Sequence, residues 1–332
     1  MTETTRPTVP AAEEILGKYF PVLDHGFVSL VDYMGGDAAV EQATRVAYGY
    51  GTRKVSETRG LIRYLCRHKH TSPLEMTELK FHCSMPIFVA RQWIRHRTAN
   101  VNEMSGRYSL MPMLFYTPPD DQMRLQSKDN KQGREAAPLE NGQLKEMAVR
   151  GWEKQRMYAV EQYGWLTKHD FARELARIDL PLSTYTQWYW KIDLHNLLHF
   201  LSLRVDSHAQ WEIQQFGKVM AGMLKRVAPL AYEAWIDYEV CGARLSRMEV
   251  AALRTMVKLH ESSNFLSARG EIVAKNNTEK EFGLTSRETD ELFALFQNEH
   301  AVPDFELDLS QAKTAEYFEA QAAAAVPKTK GT

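Results

Sequence analysis

Apolar and polar positions alternate from Thr77 to Ser84, with Leu79, Phe81 and Cys83 on one face. That period of two predicts a half-buried strand. Pro86 then suits the first turn of a helix running to about Arg97, since an amide there has no helical partner to lose. Thr184 to Trp190, rich in threonine, tyrosine and tryptophan, predicts a second strand. Helical spacing is read at Gly36–Tyr48, at Leu144–Leu166, from Thr167 or Asp170 to about Ile178, and at Leu194–Val205, where Asp193 is placed as N-cap. Ser56 is placed as the cap of a helix to about His68, and Ser72 before Pro73 is biased to extended geometry in the turn that follows. A long helix starts near Ser207, with Pro229 interrupting or restarting it.

Residues 1–26 read as a flexible lead-in and 27–242 as one catalytic domain. Within that domain, residues 117–143 are polar, with only Met123, Leu125 and Leu139 as large apolar residues, and read as a surface excursion. Residues 243–332 read as a mainly helical extension ending in an Ala-rich run and a basic tip. No internal repeat is visible. The composition is that of a soluble globular chain, with 44% hydrophobic and 25% charged residues over 332 positions, so a sizeable core is expected. Lys plus Arg number 41 against 42 Asp plus Glu, a formal charge of −1. That balance speaks against an indiscriminate nucleic-acid binder and against a disordered acidic chain. No run is apolar enough to span a membrane, and no leader pattern opens the chain, so a cytoplasmic location is expected. Cys66, Cys83 and Cys241 cannot all pair and show no CxxC spacing, which fits a reducing compartment.

Neutral overall charge hides a concentration. Between Arg91 and Arg107 stand four arginines and one glutamate, a local +3, in the run Arg91-Gln-Trp-Ile-Arg95-His96-Arg97 to Glu103-Met104-Ser105-Gly106-Arg107. Guanidinium forks suit phosphate, and Ser105-Gly106 permits close backbone approach. The competing reading is a solvated basic helix end, against which the apolar lead-in Met85–Ala90 delivers the arginines to a fixed place. Glu174 and Arg177, at i,i+3, share a helix face and read either as a surface ion pair or as part of a site. His195 and His199, at i,i+4, have zinc-ligand spacing, but the run between them is not HExxH and no third ligand is placed. Arg204, in a run of Leu, Phe and Val, must find an anion or several acceptors; Asp206 and Glu212 are the structural partners to consider.

The segment Arg95-His96-Arg97-Thr-Ala-Asn100-Val-Asn102-Glu103-Met104-Ser105-Gly106-Arg107 resembles the signature of the flavin-dependent thymidylate synthases, the ThyX family. So do His70–Pro73, the Glu174–Pro181 segment and the stretch Leu198–Gln215, all in the expected order over roughly residues 27–240. Asn100 stands where the signature has Ser, and Met76 where many relatives carry His. The resemblance implies an α+β fold, assembled as a homotetramer with active sites between subunits. It implies FAD as cofactor, NADPH and methylenetetrahydrofolate as co-substrates, and reductive methylation of dUMP to dTMP without a cysteine nucleophile. By the same resemblance, Ser72, Arg95, His96, Arg97, Glu103, Asp193, Leu194, His195 and His199 bind FAD. Gln92, Trp93, Ile94, Arg95, Glu103, Met104, Ser105, Gly106, Arg107, Arg177 and Arg204 hold dUMP, and Arg204 serves the chemical step. The alternatives are a flavoprotein of the same scaffold acting on another pyrimidine nucleotide, a nucleic-acid-binding module, and a zinc hydrolase built on His195 and His199.

Overall fold

The computed structural model describes residues 6–46, 58–128, 130–262, 289–290 and 302–327. Its first unit comprises Met1–Ala234 with Phe305–Thr332, and its second Trp235–Asp304. The first unit is α+β. Its strands are β1 (Tyr19–Val22), β2 (Gly26–Met34), β3 (Glu78–Pro86), β4 (Asn100–Glu103) and β5 (Tyr185–Asp193). They form one antiparallel sheet in the order β1-β2-β3-β5-β4. Gly26 opens β2 because a Cβ there would stand 2.6 Å from the Ser84 carbonyl and 2.7 Å from that of Val22.

The alternation read from β3 is realised. Leu79, Phe81 and Cys83 are fully buried, as are Trp188, Trp190 and Ile192 of β5 to within a few per cent. After α1 (Pro10–Glu13), α2 (Asp37–Val46) and α3 (Thr58–Arg67), three helices pack against this face: α4 (Ile87–Trp93), α7 (Leu194–Arg204) and α8 (Trp211–Val227), with the 27-residue α5 (Gly142–Lys168) and the one-turn α6 (Arg173–Ala176) between α4 and α7 in sequence. Trp93 is the hub of this layer. Its ring meets Trp188 at 5.5 Å, Trp190 at 5.3 Å, Phe200 at 5.1 Å and Phe216 at 5.8 Å between centroids. Each such pair adds about 0.5–1.5 kcal/mol beyond its buried area. The opposite face carries Tyr19, Phe27, His82, Gln187 and Tyr189 and is partly covered by the C-terminal helix Ala315–Ala324, whose Phe318 ring lies 4.7 Å from that of Phe27.

Several sequence expectations need correction. From residue 6 onward the lead-in is built into the fold: Ala12 and Ile15 are fully buried, Arg226 pairs with Glu14 at 2.8 Å, and β1 is a sheet edge. Its elements are a single helical turn (Pro10–Glu13) and a four-residue strand, too short for periodicity to register. The helix after Pro86 ends at Trp93, because the chain must straighten to pair as β4. Thr167 lies inside α5, donating to the Tyr163 carbonyl at 2.8 Å, and Asp170 at φ 59° ends that helix instead of starting another. The excursion is largely exposed but pinned, with Gln122 and Met123 buried and Arg134 paired to Glu212. Residues 305–327 return to the first unit: Lys313 and Tyr19 exchange backbone hydrogen bonds at 2.7 and 3.0 Å. The stretch grouped as 243–332 is thus divided between the two units. Ser56, the end of the Gly36–Tyr48 helix and the basic tip lie outside the described residues.

Candidate active site

After α4 a hydrogen-bonded turn carries the chain past Arg95 and His96, with His96 N bonded to the Trp93 carbonyl at 3.0 Å. Arg95 and Arg97 are exposed, and among the described residues neither side chain makes a hydrogen bond or ion pair. Between them, His96 points back to α7. Its Nε2 accepts from Arg204 Nε at 3.0 Å, its ring stacks edge-on to Phe200, and the His199 ring stands 6.0 Å away. A guanidinium has no acceptor, so Nε2 must be the bare nitrogen and the proton of the neutral ring sits on Nδ1. Burial first, then the Arg204 and His199 charges, hold the His96 imidazole down at about 4. Burial also lowers Arg204 from its ordinary value, though an arginine stays cationic.

A titration follows. The His96 ring is expected to protonate with a midpoint near 4 in NMR spectra, assigned by difference from His96→Gln, against the ordinary 6.5. The unfolded chain takes up the proton first, so the associated stability is full above about pH 6.5 and is lost as pH falls toward 4. A midpoint at 6.5 would rule out the Arg204–His96 hydrogen bond.

Arg204 is half-buried at the end of α7, and among the described residues no carboxylate stands within 4.0 Å of it. The structural partners weighed from sequence are occupied elsewhere. Asp206 holds His208, and Glu212 pairs with Arg134 at 2.6 Å. Among the described residues neither Nη group of Arg204 has a protein anion.

A second group forms beyond β4. Thr186 Oγ1 donates to Glu103 Oε1 at 2.7 Å, and the Ser105 hydroxyl accepts from the Arg107 amide at 3.2 Å. Gly106 is buried; a Cβ there would lie 3.1 Å from Arg177 Cδ and 2.9 Å from Met111 Sδ, so only glycine lets the Arg177 stem lie across this turn. The i,i+3 ion pair of Glu174 with Arg177 is not formed. Glu174 instead meets Arg107 at 3.0 Å, because α6 is a single turn and Arg107 lies nearer than Arg177 does. Arg177 is left with its guanidinium exposed and without an ion-pair partner among the described residues.

Other site residues have different duties. Trp93 and Leu194 are fully buried in the core, so their side chains offer no surface to a nucleotide or a cofactor. Asp193 caps α7 as expected, but both carboxylate oxygens are committed to Asn196, at 2.9 Å to its amide and 2.7 Å to its side chain. Ser72 is exposed in the loop whose next turn, Leu74–Met76, packs against α7. Met104 and Ile94 are half-buried beside Glu103 and Arg95 in sequence. His195 and His199 both lie on α7, and among the described residues no group of three His, Cys, Asp or Glu is placed to hold a metal ion. Burial raises the thiols of Cys83 and of Cys66, the latter to about 11, so neither is a primed nucleophile.

Sequence reasoning missed a cavity of about 380 Å³ on the sheet face away from α4. Glu103 and Met104 share it with Tyr19, His82, Gln187 and the C-terminal Phe318. His82 is tied there to Tyr19 and Gln187, each at 3.1 Å, and burial keeps its ring from protonating readily. No local motif marks these residues, which meet only through strand register.

Residues 29–230 match the family described as thymidylate synthase complementing protein. The chain belongs to this family. Its matched region contains every site residue expected from the sequence and excludes the second unit. Among curated relatives, a flavin-dependent thymidylate synthase of Treponema denticola is 51% identical over 244 residues, spanning 73% of this chain and 91% of the relative. One of Rickettsia bellii is 45% identical over 288 residues, 82% of this chain and 98% of the relative. Among solved structures, the UMP/dUMP methylase PolB of Streptomyces cacaoi, bound with 5-Br dUMP, superposes with a TM-score of 0.59 at 33% identity, covering 66% of this chain and 97% of that one. No described helix is long and apolar enough to cross a membrane.

Proposed function

We propose that the protein is a flavin-dependent thymidylate synthase. It converts dUMP and methylenetetrahydrofolate to dTMP and tetrahydrofolate, with NADPH as the source of two electrons. Four groups carry the reading together: Arg95, Arg97 and the Nη groups of Arg204, all without protein anions among the described residues, around a His96 that stays uncharged. A donor set of this kind fits the diphosphate and ring edge of FAD, and Arg107 and Arg177 across the Gly106 turn fit a nucleotide monophosphate.

Bound flavin would supply the two-electron chemistry that adding a methyl group at C5 requires. The chain's own residues do the rest. Arg95 and Arg97 neutralise cofactor phosphates, and Glu103, oriented by Thr186, accepts from ribose or base donors. Arg204 places positive charge against the carbonyl edge of uracil, where electron density gathers as C5 becomes nucleophilic. His96, neutral and hydrogen-bonded, aims that guanidinium without competing for the substrate. A homotetramer whose subunits complete each other's sites is the assembly proposed with this function. The cytoplasm is the proposed location, and nucleic acid and membrane are not proposed as partners.

The decisive measurement is the visible spectrum of the purified protein with added FAD. Uptake of the flavin, bleaching by NADPH without oxygen, and dTMP formed from dUMP are the expected results. A protein that takes up no flavin sinks the reading. Because the similar solved structure methylates UMP as well as dUMP by its name, UMP and dCMP belong in the same assay. Methylation of UMP in place of dUMP would shift the substrate to the ribonucleotide.

A further inference from the structure

Behind Gln92 runs a chain of polar side chains drawn from separate parts of the sequence. Gln92, in the last turn of α4, donates from Nε2 to Gln210 Oε1. Gln210, the residue before α8, donates from Nε2 to Glu212 Oε2 at 2.8 Å. Glu212 is only 1% exposed. Its carboxylate accepts both from Arg134 Nη2, at 2.6 and 2.7 Å, and from the Tyr116 hydroxyl at 3.0 Å. Arg134 comes from the 117–143 excursion, and its Nη1 is itself tied to the Gln122 carbonyl at 3.3 Å.

The chain has a direction. A carboxylate offers only acceptors, so Gln210 must turn its amide NH2 toward Glu212. The Gln210 oxygen is then left to receive the NH2 of Gln92, and Gln92 Oε1 is left over as an acceptor. Among the described residues nothing donates to that oxygen. A side-chain amide with neutral neighbours can turn either end outward at little cost; here one buried carboxylate removes the choice for two amides in series.

We propose that Glu212, acting through Gln210, is a positioning residue that fixes the Gln92 side chain with its carbonyl toward the nucleotide, and that Arg134 of the excursion holds Glu212 in place. The inference rests on Gln92 lying at the dUMP site. A fixed acceptor selects a base edge that carries an N–H. Uracil has one at N3, whereas cytosine presents a lone pair there, so the chain sets preference for uracil-type over cytosine-type nucleotides. It also gives the excursion a task, since its Arg134 ends at the carboxylate that orients the site.

Gln210→Met cuts the chain and leaves the Arg134–Glu212 pair standing. In full-length, flavin-loaded protein the dissociation constant for dUMP is expected to rise about tenfold, and the preference over dCMP to narrow by a similar factor, the loss of one directed hydrogen bond. The flavin spectrum without nucleotide and the thermal midpoint are expected to stay near wild type. Gln92→Ala is expected to cost less in the Gln210→Met background than in wild type, since Gln210→Met has already released the acceptor from its fixed direction. Additive losses overturn the proposal, and so does an unchanged dUMP constant and dUMP/dCMP ratio in Gln210→Met. Where Gln210→Met does not fold, Glu212→Gln, which lets the amides turn over, replaces it in the same cycle with the same outcomes. A wild-type protein that binds neither nucleotide overturns the proposed function along with this chain. A wild-type protein that binds dUMP beside an indifferent Gln210→Met overturns the chain alone.

Discussion

Arg204→Ala is expected to lower dTMP formation by about 10²–10³-fold while flavin uptake survives, the loss typical of removing one preorganised donor from a developing anion. The expectation comes from where the guanidinium sits. It is half-buried, its Nε is spent on His96 at 3.0 Å, and no described carboxylate neutralises it. A cation kept partly out of water without an anion is costly unless a ligand supplies the charge, so the site gains most when negative charge develops beside it. Arg204→Lys keeps the charge but loses the planar fork and the bond to His96, and is expected to fall between wild type and Arg204→Ala. The readouts are turnover, the dUMP dissociation constant and the visible spectrum. Turnover within a few-fold of wild type in Arg204→Ala would remove the role assigned to this residue.

The strands and helices that face the hydrophobic layer were legible in the sequence. β3 alternates because Leu79, Phe81 and Cys83 are buried, with Phe81 beside Trp190, while the other face meets partly open space. Asp193 was legible as a cap because a short acceptor before an apolar run has one economical use. What escaped were elements whose existence depends on partners. β1 has four residues and β4 is exposed along its length, so neither carries a pattern of its own; each is made by register against β2 or β5. The return of residues 305–327 to the first unit rests on the bridge at Lys313, on Phe318 against Phe27 and on contacts such as Leu307 against Gly222, which leave no periodic trace.

The site divides in the same way. The run Arg95–Arg107 was visible as a local excess of positive charge, and its arginines are exposed as that reading requires. The signature could not show which of its side chains were structural. Trp93 and Leu194 fall inside a functional stretch yet are core, since a helix that delivers polar groups must bury its other face. Nor did spacing reveal that Glu174 would choose Arg107 over its own helical neighbour Arg177. Glu212 was weighed as a partner for Arg204, but the partner it has comes from 78 residues upstream, out of a segment whose polarity reads as solvent-facing.

That partnership leads to the second large effect. Arg134→Ala is expected to destabilise the fold by about 3 kcal/mol, because removing one member of a buried pair strands the other charge. Glu212 is 1% exposed, so water cannot take over the lost contact, and Tyr116 and Gln210 offer only neutral donors. The pair of Arg107 with Glu174 is the internal control. Both side chains are more than half exposed, at 56% and 52%, and Arg107→Ala is expected to cost less than about 1 kcal/mol. Chemical denaturation of the two variants separates buried from solvated pairing within one molecule. Arg134→Met combined with Glu212→Gln is expected to be more stable than Arg134→Ala alone, since a neutral amide replaces the stranded carboxylate. If Arg134→Ala costs no more than Arg107→Ala, Glu212 is reached by water in solution. Its carboxylate then has no fixed partner, and the direction it imposes on Gln210 and Gln92 goes with it.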